Sequence, residues 1–389
     1  MAAAGFFSAA AFLRSGLCRD AAMRYRCGKP DLSGRTQQTQ GLPGMTVIQL
    51  ATAQSFDFLL RQSREGDGRW GDIHLVPGNG TGEGADWLVV YDQPPRGLLT
   101  LLPRERRIVF LPEPVSIKHY DPAFISQFGI AVTSSPLPGF DGEALHMQPS
   151  SPWFYGTGLG ASAGGPPRLG FAELAARPVP CEPVRGLISA VCSTKALNRN
   201  QVRRLRFLRR AKAALGERLD IYGRGFREVA DKAEGLDGYR YHLVLENNLD
   251  PHCWTEKLAD PLLAGAYPIV AGGPRLERYF DPLGFTALDI TRPETALKTL
   301  LAVVEADPVS RPEVQAAMRE NRRRLMEEHQ VFPVLERLVK GRGEGAPALL
   351  AEAQAIRPPA RAPYRRLTQA LRPLRRVADR LHLALFERG

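Results

Sequence analysis

The sequence has little that would carry it into or across a membrane. None of its uncharged apolar stretches approaches the roughly 18 to 20 residues of a spanning helix. The apolar opening "MAAAGFFSAAAFLRSG" has no basic residue ahead of it, as a secretory signal would. Cysteines are few: Cys18, Cys27, Cys181, Cys192 and Cys253 are odd in number and form no close pair. That argues against both a disulfide framework and a zinc site, and a cytoplasmic protein is expected. The glycines of "YGRGF" (222–226) stop short of a complete G-x-G-x-x-G, so a nicotinamide enzyme is not expected either. Acidic residues are in deficit, 41 against 52 Lys and Arg, for a formal net charge of +11. Such a balance suits an anionic partner, which charge alone leaves open among nucleic acid, a lipid surface and a phosphorylated ligand.

The 389 residues, 44% of them hydrophobic, can build two cores. Residues 1–44 read as an unstructured leader, and Met45 stands beside Met1 as a candidate start. From there "TVIQLA", "WLVVYDQ", "RRIVFLPEP" and "FGIAVTSS" read as strands of a first α/β domain over 45–156. A Gly/Pro-rich linker is expected over 157–184. The pattern then restarts over 185–309: strand "LISAVCS", the basic helix "NQVRRLRFLRRAKAAL", strands "LDIYGRG" and "RYHLVLEN", helix "WTEKLADPLLAG", strands "YPIVAGG" and "FTALDI". Strand and helix alternating in this way predict a parallel sheet covered on both faces. C-terminal helices follow over 310–345, then a linker and basic tail over 346–389. Two α/β units in tandem resemble the GT-B architecture, two Rossmann-like domains facing each other across a cleft. The loops at the carboxyl ends of parallel strands line such crevices.

Between two apolar runs lies the polar stretch "ENNLDPHCWTEK" (246–257). A helix is expected from near Trp254 to before Gly265, with Trp254, Leu258 and Leu262 facing the core and Glu256 and Lys257 in the first turn, off that stripe. A lysine is unfavoured beside the positive end of a helix dipole unless an anion docks there. The plainer alternative is a solvated Glu–Lys pair.

The run "YRYHLVLENNLDPHCWTEKLADPLLAGAYPIVAGGP" (239–274) resembles the signature of glycosyltransferase family 10, the alpha-1,3/1,4-fucosyltransferases: approximately F-E-N-S, then T-E-K, an apolar helix, P-V/I and a Gly. "LDIYGRGF" is similar to the family's V-D-V-Y-G-R strand, "SAVCSTK" to the strand opening its donor domain, and the helix at Arg203–Arg204 to its R-x-x-F/Y-Y segment. "RIVFLPEP" resembles the strand and loop carrying its proposed catalytic carboxylate. The sequence departs from the pattern with Leu245 for Phe, Asn248 for Ser, and Cys253 where many relatives have a Tyr next to the nucleotide.

The resemblance implies a bacterial-type inverting fucosyltransferase that uses GDP-fucose as donor and the hydroxyl of an oligosaccharide or glycolipid as acceptor. It places Arg204 and Lys257 on the diphosphate, Asn247, Glu256, Glu246 and Tyr222 on the donor side, and Glu113 as the base across the cleft. No Asp-x-Asp occurs in the chain, so no metal or other cofactor is expected, and protein cations would meet the leaving-group charge. Two alternatives stand: a GT-B enzyme with another nucleotide sugar, and a noncatalytic protein binding polyanions or glycans. Nucleic acid is not expected as a partner, because the arginine-rich helix carries a single aromatic, Phe207, rather than a series of interleaved ones. The tail 361–389 has eight arginines against two acids, with leucines at three- and four-residue steps. It reads either as a helix packed on the body or as a peripheral anchor on anionic lipid at the inner face of the cytoplasmic membrane.

Overall fold

The structure is a computed structural model that describes residues 44–115, 117–157, 168–196, 198–342 and 345–359. The leader and the basic tail expected from the sequence lie outside the described residues. The described residues belong to one compact unit.

Short apolar runs build a first sheet in chain order. Its strands are β1 (Thr46–Ala51), β2 (Arg69–Trp70), β3 (Ile73–Pro77) and β4 (Trp87–Tyr91), followed by β6 (Arg107–Leu111), β7 (Ile130–Thr133) and β8 (Glu143–His146); β5 (Leu99–Thr100) stands apart. The strand order is β2-β3-β1-β4-β6-β7-β8, parallel except where β2 meets β3. Every residue of β4 and β6 is buried, as expected of strands covered on both faces. Two short helices, α1 (Asp57–Leu60) and α2 (Pro122–Ile125), cross over this part of the chain.

Inside the stretch expected to be a linker, α3 (Phe171–Ala176) buries Phe171 and Leu174, with Phe171 packed edge-on against Trp70. Apolar side chains at helical spacing outweigh the Gly/Pro content around them. The second sheet follows: β9 (Gly186–Val191), α4 (Arg199–Leu215), β10 (Leu219–Tyr222), β11 (Tyr239–Leu245), α5 (Glu256–Ala264), β12 (Tyr267–Ala271) and β13 (Thr286–Ala287). Its order is β10-β9-β11-β12-β13, and every pairing is parallel. The fold is thus mixed α/β with two parallel sheets, the class expected from the alternating pattern. Strands β2, β3 and β8, which the sequence pattern did not reveal, lie at or next to the edges of the first sheet.

Helices α6 (Pro293–Ala306), α7 (Pro312–Glu327) and α8 (Val331–Val339) complete the chain, and β14 (Gln354–Ala355) pairs antiparallel with β5. The last two helices return to the first sheet. Gln330 donates to the Gln62 carbonyl at 3.1 Å, and Arg64 pairs with Glu327 at 2.8 Å. One apolar core therefore joins Val89 and Phe110 of the first sheet to Leu258 of α5 and Phe332 of α8. No helix among the described residues is long and apolar enough to cross a membrane.

Candidate functional site

Because all strands of the two large sheets but β2 are parallel, their carboxyl ends share one edge of each sheet. The second sheet delivers Ser193 after β9, and Glu246 and Asn247 after β11. Helix α5 starts at Glu256, two residues later than the apolar stripe suggested. Thr255 is its N-cap, its hydroxyl accepting the Lys257 N–H at 3.3 Å, and Trp254 sits just outside, buried against Phe280 and His329. At the far end Gly265 adopts φ 79°, and a Cβ there would come within 2.3 Å of the Pro178 carbonyl oxygen, so only glycine fits.

The first turn of α5 holds a charge cluster. Lys257 Nζ lies 3.0 Å from Glu256 and 3.6 Å from Glu246, and it donates to Thr255 Oγ1 at 3.2 Å. Glu246 has no exposed side-chain surface; it accepts the Thr255 backbone N–H and hydroxyl, both at 2.8 Å. Glu246 therefore positions the cap and Lys257 rather than facing a ligand. Burial alone would strip the proton from Lys257, but Glu256 and Glu246 outweigh it and push the ammonium well above the usual lysine range. Burial would likewise protonate Glu256, yet Lys257 and Lys232 outweigh that and bring it down to about 2. Lys232 also pairs at 2.8 Å with the buried Asp260, whose other oxygen accepts the backbone N–H groups of Phe154 and Tyr155 at 2.8 and 3.0 Å.

Arg204 comes to the same edge from α4. It is 3% exposed and donates to Asn247 Oδ1 at 2.5 Å and to the Ser193 carbonyl at 3.1 Å. It lies close enough to Lys257 to oppose that group's charge. Among the buried donors with no partner are Arg204 Nε and Asn248 Nδ2. Arg203 bonds Asn200 on the same helix, while Arg206 and Arg210 are exposed.

The first sheet contributes Glu113, two residues beyond β6. Its carboxylate is open to solvent yet flanked by protein on several sides. Burial and the nearby Glu256 raise its pKa, more than Lys257 lowers it. Glu113 thus faces the α5 cluster. Its loop is braced by Tyr120, whose hydroxyl donates to Asp92 at 2.5 Å and accepts the Glu113 backbone N–H. Asp92 in turn takes Lys118 at 2.5 Å. The loops of the two sheets are tied by Ser135 donating to Asp250 at 3.2 Å and by Gln148 donating to the Trp254 carbonyl at 3.1 Å.

The structure therefore brings together Arg204, Asn247, Glu246, Glu256 and Lys257, with Glu113 opposite. Tyr222 does not join them. It is 1% exposed, its hydroxyl 2.6 Å from that of Tyr239, with Arg227 over its ring. At the end of the edge strand β10, its ring is buried against Tyr239. Sequence reasoning missed Lys232, Asp260 and Ser193. Asp260 carried a signal, an acid inside an otherwise apolar helix; Lys232 carried none. Cys253 is 5% exposed and burial raises its thiol pKa, in keeping with a packing role. Among the described residues no group of three or more His, Cys, Asp and Glu side chains could hold a metal ion.

No protein-family model matches the chain. Over 139 residues it is 31% identical to the Bos taurus protein described as a 3-galactosyl-N-acetylglucosaminide 4-alpha-L-fucosyltransferase, a match spanning 32% of this chain and 37% of that relative's length. Among solved structures it is similar to an α1,3-fucosyltransferase with GDP-fucose at 15% identity, covering 77% of this chain and 95% of that one with a TM-score of 0.40. The corresponding values for an α1,3-fucosyltransferase with GDP are 16%, 75%, 93% and 0.41. For the pneumococcal O-GlcNAc transferase GtfA with UDP and GlcNAc they are 11%, 65%, 51% and 0.35.

Proposed function

We propose that the chain is an inverting glycosyltransferase of GT-B type that moves fucose from GDP-fucose to a hydroxyl of a saccharide acceptor. The observation that carries this is the opposition of one open, raised-pKa carboxylate, Glu113, to a cationic pair, Arg204 and Lys257, across the carboxyl ends of two parallel sheets. Identity to a bovine fucosyltransferase over part of the chain and the motif at 239–274 favour fucose as the sugar.

In the reaction the bond from the anomeric carbon to the diphosphate oxygen breaks while the acceptor oxygen attacks the opposite face. Negative charge grows on the diphosphate as it leaves. Arg204 and Lys257, already held in place, stabilise that charge more in the transition state than in the ground state. The unpartnered Arg204 Nε and Asn248 Nδ2 donors suit phosphate oxygens, since a buried donor without an acceptor costs about 1 to 3 kcal/mol. Glu256 and Asn247 orient donor hydroxyls. Glu113 takes the proton of the attacking hydroxyl, and its raised pKa brings it nearer to the operating pH. With two protein cations at the leaving group, no metal is required.

Incubating the full chain with a panel of nucleotide sugars and saccharide acceptors tests this. Transfer from GDP-fucose that survives EDTA is expected. Turnover only with a different nucleotide sugar would replace fucose. Salt-sensitive binding of many polyanions without turnover would replace the enzyme by a binding protein. Anchoring of the tail to the inner face of the cytoplasmic membrane is part of the same proposal. Deleting 361–389 should abolish sedimentation with anionic vesicles and preserve turnover on a soluble acceptor.

A further inference from the structure

A groove of about 910 Å³ opens beside Glu113, between α2 and the loop after β7, with Asp250 and Pro251 of the second sheet's loop on its far rim. That volume is at the upper end of the range for small-ligand sites. Its wall is mainly apolar, formed by residues such as Val115, Ile125, Leu137 and Phe140. Two of the exposed large hydrophobic residues described, Val115 at 54% and Ile117 at 38%, sit on the loop that carries Glu113. Apolar side chains left in water beside a reactive carboxylate mark a surface that an apolar ligand covers. The charged residues lining the groove are Glu113 and Asp250, with His119 as the only other ionisable group besides Tyr120; no Lys or Arg lines it among the described residues.

Resting on the transfer of fucose proposed above, we infer that the acceptor is a neutral saccharide carrying a hydrocarbon aglycone. Its sugar hydroxyl meets Glu113 while the hydrocarbon lies along Val115, Leu137 and Phe140. The groove is continuous with the site because Glu113 lines both. A phosphorylated or carboxylated acceptor is disfavoured, because the groove would set its charge beside Glu113 and Asp250 with no Lys or Arg in the lining, the nearby Lys257 and Lys118 being paired with Glu256 and Asp92.

The test uses the full chain, GDP-fucose and one neutral disaccharide offered as its methyl glycoside, its octyl glycoside below micelle formation, and a phosphorylated octyl glycoside. Each buried methylene is worth about fourfold in affinity, so even partial burial of the chain should raise kcat/KM for the octyl over the methyl compound by at least about tenfold. Leu137→Asn and Val115→Asn should bring the octyl-to-methyl ratio close to one. An octyl-to-methyl ratio near one in the unmodified protein, or preference for the phosphorylated acceptor, overturns the inference. If no fucose is transferred to any acceptor, calorimetric binding of the same compounds separates the two ideas. An octyl preference that Leu137→Asn erases keeps the groove while the fucosyl transfer fails; equal binding of octyl and methyl compounds overturns the groove.

Discussion

The two walls of the cleft hold their charges in opposite ways. On the second sheet Lys257, Glu246, Glu256, Lys232 and Asp260 are paired with one another, and Arg204 is pinned by Asn247 and Ser193. On the first sheet the Glu113 carboxylate has no hydrogen bond or ion pair among the described residues, and only its backbone is braced. A wall that must meet charge at one defined place gains from being ordered in advance, because nothing has to reorganise when the charge appears. In the proposed reaction the wall with Glu113 receives a proton from an incoming hydroxyl, and such a wall must stay open until that hydroxyl arrives.

The sharpest way to break the comparison is Glu113→Gln. Loss of a positioned base should lower kcat by about 10²- to 10⁴-fold with little change in melting temperature. A base works when ionised, so activity of the unmodified protein should fall as pH drops through a pKa above the usual carboxylate range, and the glutamine variant should lack that limb. A limb that survives the substitution would remove Glu113 from the role.

Next come the cations. Lys257→Ala should cost roughly a hundred- to thousandfold in kcat. Unlike an exposed lysine, it should also destabilise the fold by about 3 to 5 kcal/mol, because Glu246 is left buried without its countercharge. Arg204→Ala should lose activity comparably, while the exposed Arg206→Ala should change little. Equal losses at both arginines in steady-state kinetics would reduce the helix to a general electrostatic role.

A smaller effect concerns acid stability. The folded-state pKa of Glu256, about 2, lies below its ordinary 4.5, so its contribution is present above pH 4.5 and is lost as pH falls toward 2. Melting curves of Glu256→Gln should be lower than those of the unmodified protein at neutral pH and converge with them in acid. Parallel curves across that window would show that Glu256 is not held by Lys257 and Lys232. Smallest of all, Tyr222→Phe should cost about 1 kcal/mol of stability through its lost bond to Tyr239, with kcat/KM unchanged. A marked rise in KM for the donor would instead return Tyr222 to the site.

Where the apolar pattern was strong, it carried through to the structure. The buried runs of β1, β4, β6, β11 and β12 were visible because strands covered on both faces are apolar throughout. Strand β8 was not, because its residues are half-buried or exposed at a sheet edge and so carry little apolar signal. Around the site, Glu246, Asn247, Glu256 and Lys257 were legible as a group because one strand, one loop and one helix turn hold them within twelve residues. Lys232 reaches Asp260 from 28 residues away, with nothing in its surroundings to announce it.

By itself the sequence determined the alternation of strand and helix, the glycine at 265 that stops α5, and the presence of a polar stretch between two apolar ones. These are local matters, set by backbone preference and periodicity. Which carboxylates are buried and which are free was decided only by tertiary structure. Glu246 and Glu256 are ten residues apart in the chain, yet one is sealed beneath Thr255 while the other stays a fifth exposed in the cleft. Glu113 and Tyr222 each follow or end a parallel strand, yet one meets solvent and the other the core. Charge interactions depend on distance and on the surrounding dielectric, and both are properties of the packed chain rather than of its order.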